Sequence, residues 1–202
     1  MSREIIAILR GVTPEDVLEI GQALATAGID RIEVPLNSPD PFRSIEALAS
    51  ALSGTAQIGA GTVLRAEEVD AVHAAGGRLI VSPDCNPEVI TRTKALGMAS
   101  YPGVMTPTEC FTALRHGADG LKLFPGTLIG IGGLNAIRAV LPSDARTYAV
   151  GGVEPANFAE WLAAGATGFG IGTALYKPGF TAKEVAARAA DIVSAYDAAV
   201  AS

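Results

Sequence analysis

One unit of sequence recurs along the chain and leaves few folds open. The segments AGIDRIEV, AGGRLIV, LGMASYP, HGADGLKLF and AGATGFGI each close a helical stretch on a glycine and begin a short apolar run a few residues later. Gly28, Gly76, Gly97, Gly117 and Gly165 read as left-handed helix stops, where any Cβ would be strained. The helices also open alike. Thr13-Pro14, Asn86-Pro87 and Thr106-Pro107 each set a capping side chain before a proline whose missing N–H costs nothing in a first turn. Thr106-Pro107-Thr108-Glu109 is a capping-box pattern as well. Between these signals lie eight apolar runs, roughly residues 5–10, 31–36, 57–62, 79–83, 99–103, 120–124, 147–151 and 168–172. Helical patterns such as DVLEIGQALATA, PEVITRTKAL and NFAEWLAA fill the gaps, and no hairpin turn joins adjacent runs.

Eightfold alternation of strand and helix requires parallel strands, because each return crosses over through a helix. The expected fold is a (β/α)8 TIM barrel in one domain over residues 1–202, at the compact end of the barrel's size range. The alternative is an open, doubly wound sheet of the flavodoxin or Rossmann kind. Such sheets usually use fewer strands, and no GxGxxG follows the first run.

Composition narrows the partners. A net charge of -6 without a clustered basic patch argues against nucleic acid, although a few inward cations could still hold a small anion. No stretch reaches the roughly 18 uncharged apolar residues of a membrane span, and Met1-Ser2-Arg3-Glu4 lacks the basic and apolar regions of a signal peptide. The expectation is a soluble, cytoplasmic protein whose two cysteines, Cys85 and Cys110, are reduced packing residues. His73 and His116 fall near helix C-termini without a metal-ligand spacing, so no metal is expected. Phe158 and Trp161 read as packing residues on the seventh helix. GIGG at 130–133 has no following lysine to make a P-loop and reads as a mobile loop above the barrel.

In a barrel of this kind the active site lies at the C-terminal ends of the strands. The first run ends in Leu9-Arg10-Gly11. The second carries Glu33 and ends near Asn37, the third runs into Gly59-Ala60-Gly61-Thr62, and the sixth carries Lys122. Glu33 alternates with Ile32 and Val34, and Lys122 with Leu121 and Leu123, so barrel closure would point both charges inward. They could form an ion pair that merely fills the interior, but such pairs stabilise weakly once desolvated. The chemical possibility is a lysine whose buried ammonium sheds its proton readily, attacks a ketone and forms a Schiff base, with Glu33 moving protons. The last two runs end in Val150-Gly151-Gly152 and Gly170-Ile171-Gly172-Thr173, where barrels of this class commonly cradle a phosphate.

IAILRG, RIEVPLNS, IGAGTV, GLKLFP and YAVGGV resemble, in order and spacing, the 2-keto-3-deoxy-6-phosphogluconate aldolase family over nearly the whole chain. EVPLNS, where the gluconate enzymes typically read EVTLRT, and Val150, where they carry threonine, resemble the branch acting on the galactonate epimer. The resemblance implies a class I aldolase without metal or cofactor. Its substrate would be a phosphorylated keto sugar acid, 2-dehydro-3-deoxy-6-phospho-D-galactonate, cleaved to pyruvate and D-glyceraldehyde 3-phosphate. By similarity Lys122 forms the Schiff base and Glu33 is the general acid/base. Arg10, Gly61 and Thr62 line the carboxylate end. Gly151, Gly152, Gly172 and Thr173 line the phosphate end, and Val150 and Asn37 bear on specificity. The family's usual assembly is a homotrimer. The alternatives are the gluconate epimer, both epimers, or another phosphate-binding barrel enzyme, an isomerase or transferase, in which Lys122 would be a charge clamp. Gly126-Thr127-Leu128 departs from the small hydroxyl residues more usual in the galactonate branch.

Overall fold

Parallel strands form a closed belt in the computed structural model, which describes residues 3–201. The strands are β1 (Ile5–Ile8), β2 (Arg31–Pro35), β3 (Gln57–Gly61), β4 (Leu79–Val81), β5 (Ala99–Tyr101), β6 (Gly103–Val104), β7 (Leu121–Leu123), β8 (Thr147–Val150) and β9 (Gly168–Ile171). Helices alternate with them: α1 (Val17–Ala27), α2 (Pro41–Ala51), α3 (Ala66–Ala74), α4 (Pro87–Ala95), α5 (Pro107–Arg115), α6 (Gly126–Arg138), α7 (Phe158–Ala163) and α8 (Ala182–Val200). The ladder runs β5-β4-β3-β2-β1-β9-β8-β7-β6 with every pairing parallel. Both ends of that order belong to the fifth apolar run. It divides at Pro102, which has no N–H to give to a ladder. β5 pairs with β4 and β6 with β7, while the Pro102 carbonyl accepts from the Lys122 N–H at 2.9 Å. The eight expected units are therefore present, and the chain itself joins the two ends of the ladder.

The helix signals fall where the spacing puts them, with two exceptions. Gly28, Gly76, Gly97, Gly117 and Gly165 all have positive φ. Asn86 accepts from the Glu88 N–H, and Thr106 and Glu109 form the reciprocal capping box. Thr13-Pro14 instead opens a turn, and α1 starts three residues later at Val17. The expectation of a loop at 130–133 is overturned. Residues 126–138 form a helix broken only at Gly130 (φ 61°, ψ 176°), with Leu134 and Ile137 buried against the barrel wall. Glycine is a poor helix former, but the apolar face that follows supplies the packing that local propensity lacks.

Alternation divides the strand residues between two environments. Ile5, Ala7, Ile32, Val34, Ile58, Ala60, Leu121, Leu123, Ala149, Phe169 and Ile171 face out and pack with the helices in one continuous core. Phe158 and Trp161 belong to that core, with Phe158 stacked on Phe169 at 4.4 Å between ring centroids. The opposite phase faces the interior. Its lower part is filled by Ile6, Leu79, Val81, Tyr101 and Tyr148. Glu4 braces the strands nearby, taking hydrogen bonds from Arg31 and from the Tyr148 hydroxyl, and it pairs with Arg146 at 2.6 Å. Above this plug the interior stays open. No helix among the described residues is long and apolar enough to cross a membrane.

Candidate active site

Lys122 and Glu33 both reach the open upper interior, a cavity of about 400 Å³ also lined by Ile8, Arg10, Thr62, Phe124, Val150 and the turns after β8 and β9. Lys122 is 6 % exposed and Glu33 1 %. No ion pair joins them among the described residues, and the Glu33 Oε2 is buried without a hydrogen-bond partner. A space-filling ion pair would close that gap, because its Coulombic gain is what offsets desolvation. Two ionisable groups that share one cavity without pairing leave room for a reacting molecule.

Burial sets the ionisation of both groups. It pushes the Glu33 carboxyl up to about 7, against the attraction of Lys122 and Arg10. Burial also lowers Lys122, with Arg10 acting in the same direction, while Glu33 and Asp84 oppose it. Both shifts favour the neutral forms, an amine able to attack and a carboxyl able to give or take a proton near neutral pH. The Lys122 Nζ lies 4.6 Å from the centroid of the Phe124 ring.

The remaining expected residues divide into those that face the cavity and those that support them. Arg10 donates to the Thr62 hydroxyl at 3.4 Å and to the Asn37 side-chain oxygen. Thr62 holds a left-handed φ of 57°, an uncommon conformation for a β-branched residue and one that tends to persist at functional sites. Asn37 is not part of the cavity wall and bears on it through Arg10. Gly151, Gly152, Gly172, Thr173 and Val150 all line the cavity. Gly151 and Gly152 have φ of 94° and 71°, so their turn needs glycine for its backbone course. The Gly172 carbonyl accepts from the Leu175 and Tyr176 N–H groups, leaving the earlier Thr173 and Ala174 N–H groups outside that turn's own bonds.

Gly61, expected at the carboxylate end, is set one step back from the cavity wall. It is buried and does not line the cavity, and a Cβ added there would stand 1.9 Å from the Glu33 Oε2. Its lack of a side chain makes room for the carboxylate. Gly170 does the same for Val150, whose Cγ2 would lie 2.7 Å from an added Cβ. Phe124, Pro83, Tyr176 and Lys177, none of them among the expected site residues, also line the cavity. The signal for Lys177 was a charge in the loop just past the last strand.

The KDPG and KHG aldolase model matches residues 1–192. The chain belongs to this family. It is 50% identical to a probable 2-dehydro-3-deoxy-6-phosphogalactonate aldolase of Rhizobium meliloti (strain 1021), over 98% of this chain and 93% of the relative. It is 48% identical to the 2-dehydro-3-deoxy-6-phosphogalactonate aldolase of Escherichia coli (strain K12), over 97% and 96% of the two chains. A solved structure described as "Native KDPGal structure" superposes with a TM-score of 0.98 at 46% identity, covering 100% of this chain and 98% of that one. For this aldolase, then, the cavity has an enzyme's chemistry to account for. Among the described residues no three His, Cys, Asp or Glu side chains gather closely enough to hold a metal ion.

The crowding at Gly61 gives a test in this aldolase. Gly61→Ala is expected to displace the Glu33 carboxylate and lower turnover by about 100-fold or more, the lower end of what general acid/base catalysis supplies. Steady-state rates read beside a thermal unfolding curve check it. A folded variant with near wild-type turnover would show that Glu33 does not depend on that space.

Proposed function

We propose that the chain, as one domain over residues 1–202, is a class I aldolase that cleaves 2-dehydro-3-deoxy-6-phospho-D-galactonate to pyruvate and D-glyceraldehyde 3-phosphate. The observation that carries this is a lysine buried in a cavity, its ammonium disfavoured by that burial, beside a carboxyl that it does not ion-pair. The family and the near full-length similarity to two galactonate-branch aldolases support the substrate. The Lys122 amine attacks the C2 ketone, and loss of water gives an iminium. Glu33, directly or through water, takes the proton of the C4 hydroxyl. The C3–C4 bond then breaks, and its electron pair moves through C2 to the iminium nitrogen as the aldehyde leaves. Protonation of the resulting enamine at C3 and return of the water release pyruvate and restore the amine. Arg10, steadied by Asn37 and Thr62, suits the substrate carboxylate, because a guanidinium can meet it with two parallel hydrogen bonds. The glycine turns Gly151-Gly152 and Gly172-Thr173 suit the phosphate.

Val150 lines the cavity near the ends of β8 and β9, and in this reading its apolar side chain faces the C4 side of the substrate. Following pyruvate release from the two C4 epimers tests the substrate. The galactonate epimer is expected to have the higher kcat/KM, and Val150→Thr is expected to move the ratio about 10-fold towards the gluconate epimer. A clear gluconate preference in the unaltered chain would reverse the substrate assignment. A cytoplasmic homotrimer is part of the same proposal, and light scattering should return three times the chain mass.

A further inference from the structure

We infer that Lys177 is the cation that receives the substrate's terminal phosphate at the rim of the catalytic cavity. The inference rests on the proposed phosphorylated substrate. Three cations line the cavity among the described residues: Arg10, Lys122 and Lys177. Two are committed. Lys122 is the nucleophile, and Arg10 is tied to Thr62 and Asn37 on the side of β1, β2 and β3. The turns after β8 and β9 offer backbone N–H groups but no formal charge, whereas a phosphate monoester carries about 1.5 to 2 negative charges near neutral pH. Lys177 sits in the loop following β9, shares the cavity with Gly151, Gly152 and Thr173, and forms no ion pair among the described residues.

The loop fixes where this lysine starts. The Lys177 carbonyl accepts from the Phe180 N–H at 3.0 Å across Pro178 and Gly179, and Gly179 has φ 90°, the arrangement of a proline-glycine type II turn. Pro178 packs against Gly11 so closely that an added Cβ there would stand 2.8 Å from the proline Cγ. Gly11 in turn donates its N–H to the Ser38 hydroxyl at 2.9 Å. The backbone of Lys177 is thus clamped to the loops after β1 and β2, while its exposed side chain forms no ion pair among the described residues. Lys177 also borders an outer depression of about 580 Å³ lined by Glu154, Arg188 and Asp191, so it stands on the wall between cavity and solvent.

Lys177→Met is expected to raise KM for the phosphorylated keto acid about 10- to 100-fold, the worth of one hydrogen bond to a charged group. The value of kcat should stay within about 2-fold, and Lys177→Arg should recover most of the loss. The same keto acid without its phosphate should be handled equally by all three proteins. Inorganic phosphate, titrated by calorimetry, should bind Lys177→Met about 10-fold or more weakly than the unaltered chain. Unchanged KM and unchanged phosphate affinity would overturn the inference, as would an equal loss with the unphosphorylated acid. An unaltered chain that cleaves neither epimer would sink the aldolase proposal, and the phosphate titration would still decide the role of Lys177.

Discussion

Lys122→Ala is expected to abolish cleavage, taking the rate to the level of the assay blank. The mechanism has no second electron sink, because the iminium nitrogen is the Lys122 nitrogen itself. Loss of a charge clamp would instead weaken binding and leave partial turnover. Lys122→Arg sharpens the contrast: it keeps a cation in the cavity but offers no neutral amine, since a guanidinium stays protonated. It should be as inactive as the alanine variant. Incubating the unaltered chain with pyruvate and borohydride should add the reduced pyruvate adduct at Lys122, located by peptide mass. An unmodified Lys122 in an enzyme that turns over would remove the Schiff base from the mechanism.

Glu33→Gln should lower kcat by about 100- to 10,000-fold, because the amide keeps the shape of the side chain and removes its proton transfer. Its effect on stability should have the opposite sign. The buried carboxyl holds its proton up to about 7, whereas the unfolded chain releases it near the ordinary value of 4.5. Between those values the native state binds more protons than the unfolded one, so this group makes stability fall as pH rises. Glutamine removes that dependence. The variant should unfold no earlier than the parent above pH 7 while being nearly inactive below and above it. A variant that loses activity and melting temperature together at every pH would point to a structural role for Glu33 instead.

Much of this was written in local patterns. The glycine stops and most proline-led caps mark element ends through backbone physics alone, and together with the apolar runs between them they recover all eight units. Strand parity was enough to put Glu33 and Lys122 inside, because the period of two admits only two faces. What local pattern could not carry was proximity. Gly61 reads as a backbone placed for a ligand, yet its neighbour is the Glu33 carboxylate, brought there by pairing between β2 and β3. The glycines at 130–133 read as a loop, yet only Gly130 leaves helical geometry, because the packing that holds Gly132 and Gly133 helical comes from Leu134 and Ile137 beyond them. Lys177 carries no motif, and only closure of the belt brings the end of β9 beside β1 and turns a loop charge into part of the cavity wall.

Pro102 gives the barrel a seam. The ladder partner changes there from β4 to β7 within one strand, which also bonds to both sides: the Gly103 N–H donates to the Asp84 carbonyl at 3.1 Å, and the Ser100 carbonyl accepts from the Asp119 N–H at 3.0 Å. Circular permutation should therefore be unequal around the ring. New termini in a helix–strand connection elsewhere would leave an endless belt. Termini opened at residue 102 would divide the one strand that serves both neighbours, loosening β5 and β6 into half-paired edges that another copy of the chain could pair with.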